Sequence, residues 1–193
     1  SNTAYKINSI ALGLSSLYLC TSFALKVMID DKVKTALNNK NITYEKYIST
    51  PAPLTTLLWR VVVMSDDHYY EGYASVFDEP DEVTLSAYPT NPSLLNNIKN
   101  EWGVKRLQWF TKGFYSVREQ QKKVILSDLR MGMECQYVFN FQVGEINSEG
   151  VTASNFDKIS QRPSFNDMDK IWDRIWQPSN SLLNNTCNND TNH

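Results

Sequence analysis

The chain has 193 residues, 41% apolar and 12% aromatic, enough for one domain of ordinary size with a true core. Nineteen Lys and Arg against 21 Asp and Glu leave a net charge of −2 with no basic run, which argues against an electrostatic nucleic-acid binder. Three cysteines make no disulfide framework: Cys20 lies in an apolar stretch, Cys135 and Cys187 would pair only in an oxidising compartment, and free thiols are the expectation.

Ser1-Asn2 reads as an expression remnant, and residues 1–4 carry no expected structure. Residues 7–25, INSIALGLSSLYLCTSFAL, contain no charged side chain. As a helix they would rise about 28 Å, close to the roughly 30 Å hydrocarbon core of a bilayer. A membrane-proximal or last transmembrane helix over 5–38 is therefore predicted. A rival reading is a soluble core helix, because Asn8, Ser15, Thr21 and Ser22 form a weakly polar stripe that Lys26 and Asp30 continue. Asn38, Asn39 and Asn41 end the helix, and 50–53, TPAP, must be extended.

Residues 57–64, LLWRVVVM, read as an apolar strand, and 68–77 return as its hairpin partner across Ser65-Asp66-Asp67. A third strand is expected over 82–88. A helix capped by Asn91-Pro92 should run to about residue 100. Residues 104–110 fit a short helix or an irregular strand. Strands over 113–118, 123–130 and 136–145 follow, then an amphipathic helix over 165–176 with Phe165, Met168, Ile171, Trp172 and Ile175 inward. Residues 177–193 are Asn-rich and expected to be disordered. The resulting fold class is α+β: an antiparallel β-sheet of about five to six strands packed against a long N-terminal helix and shorter helices, with the soluble domain over 50–176.

The chain carries no GxSxG, P-loop, GxGxxG after a strand or CxxC pair, and only two histidines. His68 beside Asp66 and Asp67 reads as a solvated turn in preference to a catalytic cluster. Arg60 is the sharpest anomaly, a guanidinium on the apolar strand face of Leu58, Val62 and Met64. Asp128 and Arg130 share one face of another strand, so Asp128 would pair one arginine and leave the other available. A buried bridge that fixes strand pairing is the plainer role; an anion pocket is the functional one. Trp109, Lys112 and Tyr115, within WFTKGFY, would shape the mouth of such a pocket or simply pack.

Six segments, 50–60 (TPAPLTTLLWR), Tyr73 in GYAS, Asn91-Pro92, 107–115 (LQWFTKGFY), 127–132 (SDLRMG) and 137–141 (YVFNF), resemble in order and spacing the soluble C-terminal region of the bacterial membrane-bound metal-dependent hydrolases, the YdjM/YbcI-like inner-membrane proteins. The resemblance covers roughly residues 10–145, and the apolar helix is similar to that family's last membrane segment. It implies a location at the bacterial inner membrane and a divalent metal held in the complete protein by motifs of preceding membrane helices. Those motifs have no counterpart here, so it implies no catalytic residue, no metal ligand and no cofactor within this chain. The expected role is an accessory domain that binds an anionic small molecule or lipid head group, or a partner. The alternative is a non-enzymatic interaction or homo-oligomerisation module. Lys26, Lys32 and Lys34 after the apolar run outnumber Lys6 before it, which favours a cytoplasmic over a periplasmic domain.

Overall fold

The computed structural model describes residues 2–132, 136–159 and 168–178. The fold is α+β: a long helix α1 (Asn2–Asn39), two antiparallel sheets and two shorter helices. Sheet one is a meander of β1 (Lys46–Pro51), β2 (Leu58–Met64), β3 (His68–Ser75) and β4 (Thr84–Pro89). After α2 (Trp102–Thr111), sheet two runs β5 (Tyr115–Gln120), β6 (Lys123–Asp128), β7 (Asn140–Asn147) and β8 (Gly150–Ala153), with β9 (Lys158–Ile159) also on β7. Helix α3 is Met168–Trp176.

The expected single sheet of five to six strands is thus two sheets of four and five. Of the TPAP segment, Thr50 and Pro51 end an edge strand, β1, which begins at Lys46 and pairs with β2, while Pro53 already lies in a turn. The helix expected over 92–100 is only a 3₁₀ turn, Pro92–Leu95, followed by further i→i+3 bonds from Asn96, Ile98 and Glu101. Asn91 makes no side-chain cap, and Asn96, Asn97 and Asn100 favour turns over a continued helix. The undecided segment 104–110 lies in a helix. Residues 2–4 continue α1, against the expectation of no structure there. Cys135, Cys187, Phe165 and the tail beyond Pro178 lie outside the described residues.

Alternation on β2 builds the core. Trp59, Val61 and Val63 point to one face and meet Ile29, Val33, Ala36 and Leu37, the inner half of α1. Arg60, Val62 and Met64 point to the other, where Val62 and Met64 meet Phe114, Leu129 and Tyr137 from the segments that flank the strands of sheet two. Gly72 is required on β3 because a Cβ there would collide with the Thr84 carbonyl oxygen of β4.

Helix α1 divides into two regimes. From residue 25 onward its inner face is buried on sheet one, locked by Lys26 Nζ to Asp30 (3.1 Å) and to Ser49 Oγ on β1 (2.7 Å). Lys32 Nζ donates to the carbonyl oxygen of Val76 (2.7 Å). Residues 3–21 are exposed without exception, among them Ile7, Ile10, Leu14, Leu17 and Phe23 just beyond. The core-helix reading therefore describes 25–37, and nothing among the described residues covers the apolar residues before it.

Helix α3 packs Ile171 and Ile175 onto Ala52, Leu58 and Tyr73. Trp172, expected inward, is exposed; the inward position belongs to Arg174. This arginine is 2% exposed and grips Asp78 through both terminal nitrogens (2.9 and 2.7 Å) while donating to the Tyr73 carbonyl (2.9 Å). Ser75 Oγ donates to the Ile175 carbonyl (2.7 Å), satisfying a last-turn acceptor. Asp78→Asn leaves a buried guanidinium without its carboxylate, so a loss of about 3–5 kcal/mol is expected in urea denaturation.

Candidate functional site

Arg60 lies one strand from Glu71. The register places Arg60 opposite Tyr73 and Val62 opposite Glu71, so the two are diagonal neighbours on the same face. Arg60 Nε donates to Glu71 Oε1 (2.6 Å) and Nη1 to the Leu129 carbonyl (2.7 Å), with the Tyr137 ring 6.0 Å from its Cζ. Tyr137 Oη donates to Glu71 Oε2 (2.6 Å). Glu71 is fully buried and Arg60 nearly so, with Nη2 left unpartnered among the described residues. Burial works against the Arg60 charge, but the Glu71 carboxylate outweighs it and its pKa stands above the usual guanidinium value. Burial also pushes the Tyr73 phenol up to about 12, Arg60 opposing and Glu71 assisting.

Asp128 does not reach Arg60. It holds Arg130, accepting from its backbone N–H (3.0 Å), Nε (2.9 Å) and Nη2 (2.6 Å). Each arginine therefore has its own carboxylate. The Asp128 bond keeps the Arg130 pKa above its ordinary value, against partial burial. Between the two acts Leu129, whose N–H donates to the Phe114 carbonyl (3.0 Å) and whose own carbonyl accepts Arg60.

Five of the six candidates meet where α2 ends, β5 begins and β6 ends. Tyr115 is the register partner of Asp128. Tyr115 Oη accepts from Gln108 Nε2 of α2 (2.9 Å), and Arg130 Cζ stands 4.9 Å from the centroid of the Phe110 ring. Lys112 adopts the left-handed conformation (φ 53°) that closes α2, and Gly113 follows at φ 77°. Trp109 and Lys112 are exposed, Tyr115 and Arg130 half-buried, Asp128 buried; Arg60 sits one layer behind. The result is a shelf with a basic edge, able to take a carboxylate or phosphate oxygen at Arg130 or Lys112.

His68 Nδ1 contacts Asp67 (2.7 Å) on an exposed turn, and that bond holds the Asp67 carboxyl below its usual range. Among the described residues no three His, Cys, Asp or Glu come together as a metal-ligand set. Sequence reasoning missed Glu71, Tyr137, Phe110 and the Arg174–Asp78 pair. For Glu71 the signal was present, since the 57–77 hairpin puts it on the Arg60 face.

No family model and no solved structure matches this chain. It is similar to Protein rliB of Dictyostelium discoideum, 24% identical over 116 residues, 60% of this chain and 9% of that protein. The chain thus spans less than a tenth of the length of the curated relative it matches.

Glu71→Gln leaves Arg60 buried beside a neutral partner and should cost about 3–5 kcal/mol in urea denaturation, while Arg60→Met with Glu71→Leu should recover most of it. For Tyr73, the unfolded phenol ionises near pH 10 and the folded one near pH 12, so the folded state holds the extra proton between them. Stability present below pH 10 is therefore lost as pH rises from about 10 to 12. Tyr73→Phe should flatten that part of the urea-midpoint profile by up to about 2–3 kcal/mol.

Proposed function

We propose that this chain is the soluble accessory domain of a membrane-bound metal-dependent hydrolase, mounted at the surface of a bacterial inner membrane. The metal and the catalytic residues belong to preceding membrane helices, and the domain positions an anionic substrate or a partner. The carrying observation is α1: it is long and apolar enough to cross a membrane, its first residues are bare on every side, and it runs unbroken into the core of sheet one. Lys112 and half-buried Arg130, at the shelf edge, are the anion contacts in this reading. The matching segments SDLRMG and LQWFTKGFY converge on that shelf.

A second reading, a non-enzymatic interaction or homo-oligomerisation module, draws on Phe77, Trp172 and Trp176. These three are about half exposed or more, with Phe77 and Trp176 stacked at 4.9 Å and Trp172 edge-on to Trp176 at 6.2 Å.

The test is turnover of carboxylate- and phosphate-bearing model esters by the complete parent protein. Arg130→Ala with Lys112→Ala should raise KM about tenfold or more and leave kcat nearly unchanged. An unchanged KM removes the anion-positioning role. A matching loss in a Trp172→Ala/Trp176→Ala variant, through failed assembly, favours the second reading.

A further inference from the structure

Helix α2 turns Gly103, Val104 and Thr111 inward and leaves Trp102, Lys105, Arg106, Trp109 and Phe110 exposed. Positions 102, 105, 106 and 109 form one helical stripe, and nothing among the described residues covers it. Trp102 is 79% and Trp109 67% exposed, with Arg106 held over the Trp109 ring at 4.5 Å. Two indoles and a phenyl ring interleaved with cations are the composition of a surface that sits among lipid head groups, rings at the acyl boundary and charges on phosphates.

Charge is segregated in the same sense. Between residues 99 and 112 there are four Lys or Arg (Lys99, Lys105, Arg106, Lys112) and one acid, Glu101, in a chain whose net charge is −2. Each cation near an anionic leaflet adds to attraction that falls off within a Debye length.

Position along β1 supplies the link to α1. Lys46 Nζ, at one end of this edge strand, donates to the Lys112 carbonyl that closes α2 (3.3 Å). Ser49 accepts Lys26, where α1 leaves the domain. Three residues of strand separate these points, about 10 Å. Just past the strand, the loop lifts Leu54 into solvent, 95% exposed at φ 62°, an uncommon conformation for leucine.

We infer that the outer face of α2 is a lipid-contact surface, resting on an anionic bilayer beside the point where α1 enters it. This rests on the membrane-mounted reading of α1 and gives the domain a fixed tilt: α1 and α2 hold it at two points, with Leu54 a third near the exit of α1.

The experiment reconstitutes the full chain in vesicles of phosphatidylcholine and phosphatidylglycerol with brominated acyl chains and reads tryptophan fluorescence. Trp102→Phe/Trp109→Phe should shrink the lipid-quenchable emission at least about twofold, and Trp172→Phe/Trp176→Phe should leave most of it. Lys105→Glu/Arg106→Glu, or omission of phosphatidylglycerol, should reduce the quenching of the Trp102 and Trp109 pair. An incorporated chain whose quenching is unchanged in Trp102→Phe/Trp109→Phe overturns the inference alone and leaves the face to a protein partner. A chain that fails to incorporate into vesicles overturns the reading of α1 together with it.

Discussion

An apolar helix surface bare on all sides is costly in water, and residues 3–21 of α1 are all exposed, with Ile7, Ile10, Leu12, Leu14, Leu17 and Leu19 unpacked among the described residues. The same helix, without a break, packs Ile29, Val33 and Leu37 against Val61 and Val63. One unbroken helix thus has an uncovered apolar half and a packed half, and the boundary between them is marked by the Lys26–Asp30–Ser49 contacts at the edge strand. In the membrane-mounted reading proposed above, the placement of the domain and of its outer surfaces follows from that boundary.

Rigidity passes from sheet one to sheet two through buried polar groups. The sheets share no strand, and their junction includes Arg60, Glu71, the Leu129 carbonyl and Tyr137, with Thr90 and Val117 linked nearby. Ion pairs in such a setting repay their desolvation only when every lone pair finds a donor, so this one acts as a positioning device more than as a source of net stability. Its effect is to hold the 128–130 segment, and with it Arg130 and the end of α2, at a fixed place relative to α1. Arg174 and Asp78 do the same for α3.

Much of the fold was legible in the sequence because its signals are local. The uncharged run of 7–25, the 57–77 hairpin and the apolar run of β2 each announce themselves within one contiguous stretch of sequence. What escaped was non-local or lacked a strong pattern: β1, whose KYISTP is not strongly apolar, and the division into two sheets, which depends on where the 90–114 connection docks. At the site, the anomaly of Arg60 is legible, but its carboxylate partner, Glu71 on the neighbouring strand, is not among the residues that stand out. Asp128 and Arg130 stand two apart and satisfy each other, while Glu71 was hidden among tyrosines that look like core. The apolar pattern of α3 points Trp172 inward, whereas its buried position belongs to Arg174, paired with Asp78.

The most direct test of the membrane-mounted account is a spin-label scan along α1 of the full chain in phospholipid vesicles, one cysteine at a time in a Cys20→Ser/Cys135→Ser/Cys187→Ser background. The account predicts label accessibility to oxygen on every side of the helix over residues 7–23, highest midway, with a change to a one-sided buried pattern from Leu25 onward. A 3.6-residue periodicity of water-soluble collision partners running through residues 7–23 would contradict it, and would make α1 a soluble helix covered by another protein surface.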